Sequence, residues 1–373
     1  MKKELYIYIH IPFCYKKCPY CNFVSFEKKF SLLDEYINAL RRQIRSFEKK
    51  DVYKVKTIYF GGGTPTVLKP QQIESILDEV AKNFSLDLRE ITTEAIPNDI
   101  KKRYVHDLRL LGFNRLSLGI QSLRDEKLKK LGRIHSGSMA AKAVEMAYSS
   151  GFDNISVDLI YGIEDSVSLF EKELNRVLKL PVKHISAYML TVVENTLFFD
   201  LRKKKILVLN SDEEVAELYR LMCEKFEERG FHQYEISNFS KWGFESIHNL
   251  AYWTGKDYVG FGVGAASFLE GKRIKNTDNL FEFLENPEGS FEVEEILDGE
   301  NLAREMFVLG LRLKQGVDLK EFRERFGFDA QKLFSEDLNR FIDMGLLKLE
   351  KGRVFLNGCG AMLVSNSIFA HFI

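Results

Sequence analysis

The sequence predicts an α/β protein: six strand–helix units forming a partial (β/α)6 barrel, followed by a small winged-helix-like α+β unit. Three observations predict it. Apolar, β-branched runs alternate with amphipathic helical stretches through the first half of the chain. Polar residues and glycines recur just where each strand run ends. After residue 300 the pattern switches to helices followed by a hairpin signal.

In chain order, Leu5 to Ile11 reads as the first strand, and Leu32 to Phe47 as the helix that follows. Lys56 to Phe60 and Gln71 to Asn83 form the second unit, Glu90 to Ala95 and Asp99 to Leu111 the third. Arg115 to Ile120 with Met139 to Ser149, and Ile155 to Ile160 with Leu169 to Leu178, continue the alternation. His184 to Leu190 is the sixth strand. Such alternation builds a parallel sheet covered by helices, and six units are too few for a closed eight-unit barrel. The chain divides into a core over 1–240, a connector and accessory segment over 241–300, and a C-terminal unit over 301–373. Glycine-rich turns mark Gly255, Gly260, Gly262 and Gly264, and Asn276 to Glu300 is acidic and reads as irregular. Helices are expected over Leu302 to Leu313, Leu319 to Phe326 and Ala330 to Met344, then a hairpin turning at Lys351-Gly352.

The 373 residues are 45% hydrophobic and 29% charged, the profile of an ordinary globular chain. Lys plus Arg balance Asp plus Glu at 54 each, so no net charge draws the protein to nucleic acid or an anionic membrane. The winged-helix-like unit lacks a strongly basic helix, which favours protein packing over DNA binding. No signal peptide and no membrane-spanning run is expected, and five cysteines, three of them clustered, suit a reducing cytoplasm.

Cys14, Cys18 and Cys21 stand in a C-x3-C-x2-C run directly after the first strand. Three thiolates are one short of a structural zinc site and one short of a cubane with a cysteine on every iron. Three suffice if one iron stays open for another ligand. The other strand ends carry Gly61-Gly62-Gly63-Thr64-Pro65, Glu94, Gln121 and Asp158. In barrels of this kind the ligand site lies at the carboxyl ends of the strands, so the convergence outweighs any one motif. Taken singly, Glu94 and Asp158 read equally well as structural carboxylates. His10 reads as a packed strand histidine bonded to backbone, Cys223 as a core residue of a helix over Glu214 to Arg229, and Cys359 as inert.

These residues, with Tyr-Ile-His-Ile-Pro-Phe-Cys, Leu-Ser-Leu-Gly-Ile-Gln-Ser, Leu-Gly-Arg-Ile-His and Val-Asp-Leu-Ile-Tyr-Gly, resemble the radical S-adenosylmethionine (SAM) superfamily. Within it the chain is similar to the oxygen-independent coproporphyrinogen III oxidases over nearly its whole length. It departs from the oxidases at Phe23, where they carry a further cysteine, and in starting its first strand almost at Met1, where they carry an extension. Both departures, and His248-Asn249-Leu250-Ala251-Tyr252-Trp253, resemble the heme chaperone branch.

The resemblance implies a radical SAM core over 1–240 with a [4Fe–4S] cluster on Cys14, Cys18 and Cys21. It places SAM against Tyr8, Gly62, Gly63, Thr64, Glu94, Gln121, Arg133 and Asp158. It implies heme as ligand, respiratory hemoproteins as acceptors, and a flavodoxin or ferredoxin as electron donor if SAM is cleaved. His248 is the candidate heme contact, with Tyr252 and Trp253 stacking nearby; no catalytic residue is assigned. The alternative is the oxidase itself, which decarboxylates propionates to vinyls through a deoxyadenosyl radical. A zinc module using the three cysteines and His10 is a third reading.

Overall fold

The computed structural model describes residues 2–373. A twelve-stranded sheet organises the chain. Its strands are β1 (Lys3–Ile11), β2 (Tyr53–Gly62), β3 (Ser85–Ala95), β4 (Arg115–Gln121), β5 (Asn154–Tyr161) and β6 (His184–Met189). These continue as β7 (His232–Glu235), β8 (Asn238–Ser240), β9 (Tyr258–Phe261), β10 (Ala266–Leu269), β11 (Lys272–Asn276) and β12 (Phe291–Ile296). The order is β12-β11-β10-β9-β1-β2-β3-β4-β5-β6-β8-β7, with β9 and β1 through β6 mutually parallel. The hairpin strands at both edges are antiparallel, and the sheet does not close. The six expected strands are all present, in sequential order.

Helices α1 (Leu33–Ser46), α2 (Pro70–Asn83), α3 (Lys102–Leu110), α4 (Gly137–Ser149) and α5 (Val167–Val177) follow the first five strands, and α6 (Asp212–Glu228) follows the sixth after a short helix over Leu197–Lys203. Each buries one stripe: α1 presents Tyr36, Ile37, Leu40 and Ile44 at helical spacing. A capping box fixes the start of α6, with Ser211 accepting from Glu214 N–H and the Glu214 carboxylate accepting from Ser211 N–H.

The strands alternate in character. Leu5, Ile7, Ile9 and Ile11 are fully buried against the helical layer, as are Leu116, Leu118 and Ile120 of β4. The intervening residues are polar or aromatic: Tyr6, Tyr8 and His10 on β1; Thr57 and Tyr59 on β2; Glu90, Thr92 and Glu94 on β3; Arg115, Ser117 and Gln121 on β4. Period-2 alternation sets one face toward helices and the other toward a polar interior.

Asn276 to Glu300 departs from expectation. It holds a helix over Leu280–Glu285 and strand β12, paired with β11 from Lys272↔Ile296 to Asn276↔Phe291. Every residue of β12 is exposed, so its glutamates stay in water while its backbone is paired. The segment extends the sheet.

Helix α7 (Ile247–Trp253) packs on the sheet, and α8 (Gly299–Leu311), α9 (Leu319–Phe326), α10 (Ala330–Leu333) and α11 (Ser335–Asp343) lead into the C-terminal unit. The helix expected over Ala330 to Met344 is broken at Phe334, which leaves helical geometry with ψ 26°. Strands β13 (Val317–Asp318), β14 (Leu347–Glu350) and β15 (Arg353–Leu356) form a three-stranded wing. Lys351 and Gly352 hold φ of 50° and 76°, the two positive values that a two-residue type I′ hairpin requires.

A cavity at the strand ends and its cysteine loop

The cysteine loop is tied at both ends. Phe13–Cys14 pairs with Phe26–Glu27, and Lys28 N–H donates to Cys14 C=O at 2.9 Å. Between them Cys21 N–H closes a turn on Cys18 C=O at 3.0 Å. Phe198, from the short helix Leu197–Lys203, anchors the loop from outside through its N–H to Pro19 C=O at 3.0 Å.

The glycines make room for this loop. A Cβ on Gly63 would lie 2.8 Å from Phe13 O and 3.0 Å from Cys14 Sγ. Gly62 sits at φ 112°, and a Cβ there would meet the His10 ring at 2.6 Å. Strand β2 can therefore end beneath the thiols only as glycine. His10 is held by Val24 C=O on Nε2 at 2.8 Å and by the Tyr8 hydroxyl on Nδ1 at 3.0 Å. Both nitrogens are used, in keeping with a packed strand histidine.

A cavity of about 710 Å³ opens above the strand ends. Cys14, Cys18, Cys21, Tyr8, Gly62, Gly63, Thr64, Glu94, Gln121, Arg133, Asp158 and His248 all line it. The register explains the gathering: Tyr8 faces Tyr59, Glu94 faces Ser117, and Asp158 faces Ser186 across adjacent strands. Gln121 ends β4 at φ 60°, a left-handed conformation uncommon outside glycine, which marks a strained strand end.

Glu94 accepts from the Tyr59 hydroxyl at 2.9 Å and from Gly62 N–H at 3.2 Å. Burial, with the Asp158 carboxylate adding to it, pushes its pKa up to about 7. Asp158 accepts from Ser117 Oγ at 3.2 Å, and burial raises it to about 6 against the hydrogen bonds of Ser186 and Ser117. Arg133 donates from Nη2 to Gly119 C=O at 2.8 Å and from Nη1 to Cys18 Sγ at 3.4 Å, and its buried Nε has no partner.

The donor set fits an iron–sulfur cluster with a cationic ligand beside it. Three thiols share one wall of the cavity, and Thr64 Oγ1 donates to Cys14 Sγ at 3.8 Å. Two raised carboxylates face the same space, and Glu94 meets only a phenol, a backbone N–H and another carboxylate. A sulfonium or ammonium group would complete that environment. Among the described residues no three His, Cys, Asp or Glu side chains form a group that could hold one metal ion, and His10, which a zinc module would need, spends both ring nitrogens on Val24 and Tyr8.

His248 lies at the floor of the cavity, only 1% exposed. Its Nδ1 pairs with Thr57 Oγ1 and its Nε2 with Tyr252 Oη, each at 2.7 Å, and its ring stacks on Tyr59 with centroids 5.0 Å apart. Burial lowers its pKa to about 3. As an axial ligand the ring would first have to give up a hydroxyl. Below it the Glu90 carboxylate, 3% exposed, accepts from Ile247 N–H at 3.1 Å and His248 N–H at 3.2 Å.

Sequence reasoning missed Tyr59, which holds Glu94, and Ser117, which holds Asp158. It also missed Arg115, Ser186 and Tyr188 on the cavity wall. The signal was present as alternation within each strand.

A partial parallel barrel with three cysteines above a glycine-ended strand is the architecture of a radical SAM protein. The Radical SAM superfamily model matches residues 8–176, and the HemN C-terminal domain model matches residues 297–363. The heme chaperone HemW of Bacillus subtilis is 37% identical over 98% of both chains, that of Lactococcus lactis 34% identical over 100% of this chain and 98% of its own, and that of Escherichia coli 32% identical over 95% and 96%. The chain belongs to the HemW family. Coproporphyrinogen III oxidase (HemN) from Escherichia coli shares the fold, with a TM-score of 0.84 at 22% identity, over 100% of this chain and 90% of the oxidase.

Proposed function

We propose that this chain binds heme and passes it to respiratory hemoproteins, and that it carries a SAM-ligated [4Fe–4S] cluster on Cys14, Cys18 and Cys21. The end-to-end similarity to heme chaperones carries the reading. Phe23 supports it: this residue is 63% exposed at the cavity mouth, where the oxidases resembled by the sequence hold another cysteine.

The cluster and SAM would supply one-electron chemistry at the cavity mouth. The chain's own residues do the positioning. Glu94 and Asp158 offer negative charge to a cation, and Tyr59 and Ser117 hold those carboxylates in place. Arg133 fastens the cysteine loop to strand β4 through Cys18 and Gly119. Thr64 and the glycines let the loop lie directly on the strand ends. Among the described residues no helix is long and apolar enough to cross a membrane, so transfer to a membrane hemoprotein would proceed by docking.

Two assays on anaerobically reconstituted protein test the reading. Heme should produce a saturable Soret shift. Coproporphyrinogen III with SAM and a reductant should yield no protoporphyrinogen IX. Vinyl-group formation at enzymatic rates would make the chain an oxidase, the reading favoured by the shared HemN fold.

A further inference from the structure

Two cysteines lie outside the cavity, Cys223 on α6 and Cys359 on the C-terminal helix Gly358–Leu363. Sequence reasoning treats each as inert. The structure brings them together. The Tyr219 hydroxyl donates to Met362 Sδ at 3.8 Å, where the helix Gly358–Leu363 lies against α6. One turn further along α6 is Cys223, and one turn back along Gly358–Leu363 is Cys359. Steps of four and three residues stay on one helical face, so both positions fall on the same contact surface. The two thiols interact across this helix contact, each shifting the other's titration. Both residues are free thiols, partly exposed, and packed on the main core.

We infer that Cys223 and Cys359 form a reversible disulfide that ties the C-terminal unit to the core when the protein meets a hydroperoxide. The surroundings suit the chemistry. The thiol donated by Cys223, with the Lys314 ammonium adding to it, holds the Cys359 thiol below its ordinary range against burial and the opposing charges of Glu224 and Glu227. In this scheme Cys359 is the attacking thiolate. It takes one oxygen from the peroxide to give a sulfenic acid and hydroxide. Cys223 then attacks that sulfur, the S–O bond breaks, and water leaves as the S–S bond forms. The peroxide accepts the two electrons, and a small thiol reverses the step.

The bond would close one covalent loop around strands β7 to β12, α7 and most of the C-terminal unit. It would hold the helix Gly358–Leu363 on α6 without touching the residues that line the cavity. Oxidant encountered by a protein with an oxygen-sensitive cluster would thus leave a reversible mark away from that cluster.

The test uses the full chain, purified anaerobically with its cluster. Stoichiometric hydrogen peroxide is added, free thiols are alkylated, and peptides are mapped without reductant. The expected product joins the Cys223 and Cys359 peptides, two hydrogens lighter than the reduced pair, and dithiothreitol reverses it. In Cys223→Ser the sulfenic acid on Cys359 should persist and be captured by dimedone. Wild type that yields no joined peptide, or peroxide that yields only sulfinic or sulfonic acid at these positions, would overturn the inference.

Discussion

The mouth and the floor of the cavity are built from the same strands, yet they treat polar groups in opposite ways. At the floor every titratable group named here has a partner inside the protein. Glu90 caps the start of α7, His248 is held between Thr57 and Tyr252, and His184 is held between Ser156 and Tyr234. At the mouth the account stays open. Three thiols, the raised carboxylates of Glu94 and Asp158, and the strained Gln121 face a cavity with no internal cation closing on Glu94. Satisfied polar groups hold a fold, and unsatisfied ones beside a cavity wait for a ligand.

Breaking the mouth at its cysteines should have the largest effect. Cys18→Ala should lose the cluster iron and sulfide altogether. Cys223→Ala and Cys359→Ala should retain both, since neither thiol reaches the cavity. Iron and sulfide analysis after anaerobic reconstitution decides this, and full retention in Cys18→Ala would remove the cysteine loop from the site.

Breaking the floor should cost stability. His248→Ala strands the Thr57 and Tyr252 hydroxyls in the interior and opens a cavity against Tyr59. The loss should be about 2–4 kcal/mol in denaturant unfolding. The Soret band of bound heme should keep its position, because both imidazole nitrogens already serve the fold. A shifted or lost band in a variant that remains folded would make His248 the heme ligand after all.

A smaller effect sharpens the contrast through pH. Glu94 titrates near 7, so it should attract a permanent cation such as a sulfonium more strongly as pH rises through that value. SAM affinity measured by calorimetry should gain up to about tenfold between pH 6 and pH 8. The gain should vanish in Glu94→Gln. For the ligand-free fold the sign reverses. The folded state keeps a proton that the unfolded chain releases above its ordinary value of 4.5. Glu94 therefore withdraws stability progressively from there up to about pH 7.

The sequence made the mouth legible and the floor obscure. Cysteine spacing, the glycine run, Glu94, Gln121 and Asp158 stand out because each lies at or near the end of an apolar run. Thr57 and Glu90 sit inside their strands, and His248, which its motif did mark, sits on α7. A parallel strand is expected to be buried on both faces, so Thr57, Glu90 and Ser117 carry no mark of function within their apolar runs. Their alternation with Ile58, Ile91 and Leu116 was the available signal. Strand β12 was hidden for a different reason: Phe291–Ile296 is an exposed edge whose glutamates read as linker. The chain gives no local sign that these residues pair with Lys272–Asn276. Cys223 and Cys359 are far apart in the chain, and it is the packing of one helix on the other, with Tyr219 against Met362, that brings them to one contact.

Glu90 and Glu94 offer the most direct test of the contrast. They share strand β3, sit four residues apart, and fall on the same face. One closes the floor and the other faces the mouth. The measurement is SAM affinity and thermal unfolding for Glu90→Gln and Glu94→Gln, side by side at pH 8. Glu94→Gln should weaken SAM binding by about 1.5–3 kcal/mol with an unfolding midpoint at or above that of wild type. Glu90→Gln should lower the midpoint and bind SAM as wild type does. If the two variants behave alike, or exchange these behaviours, the division between a ligand-binding mouth and a fold-holding floor is wrong.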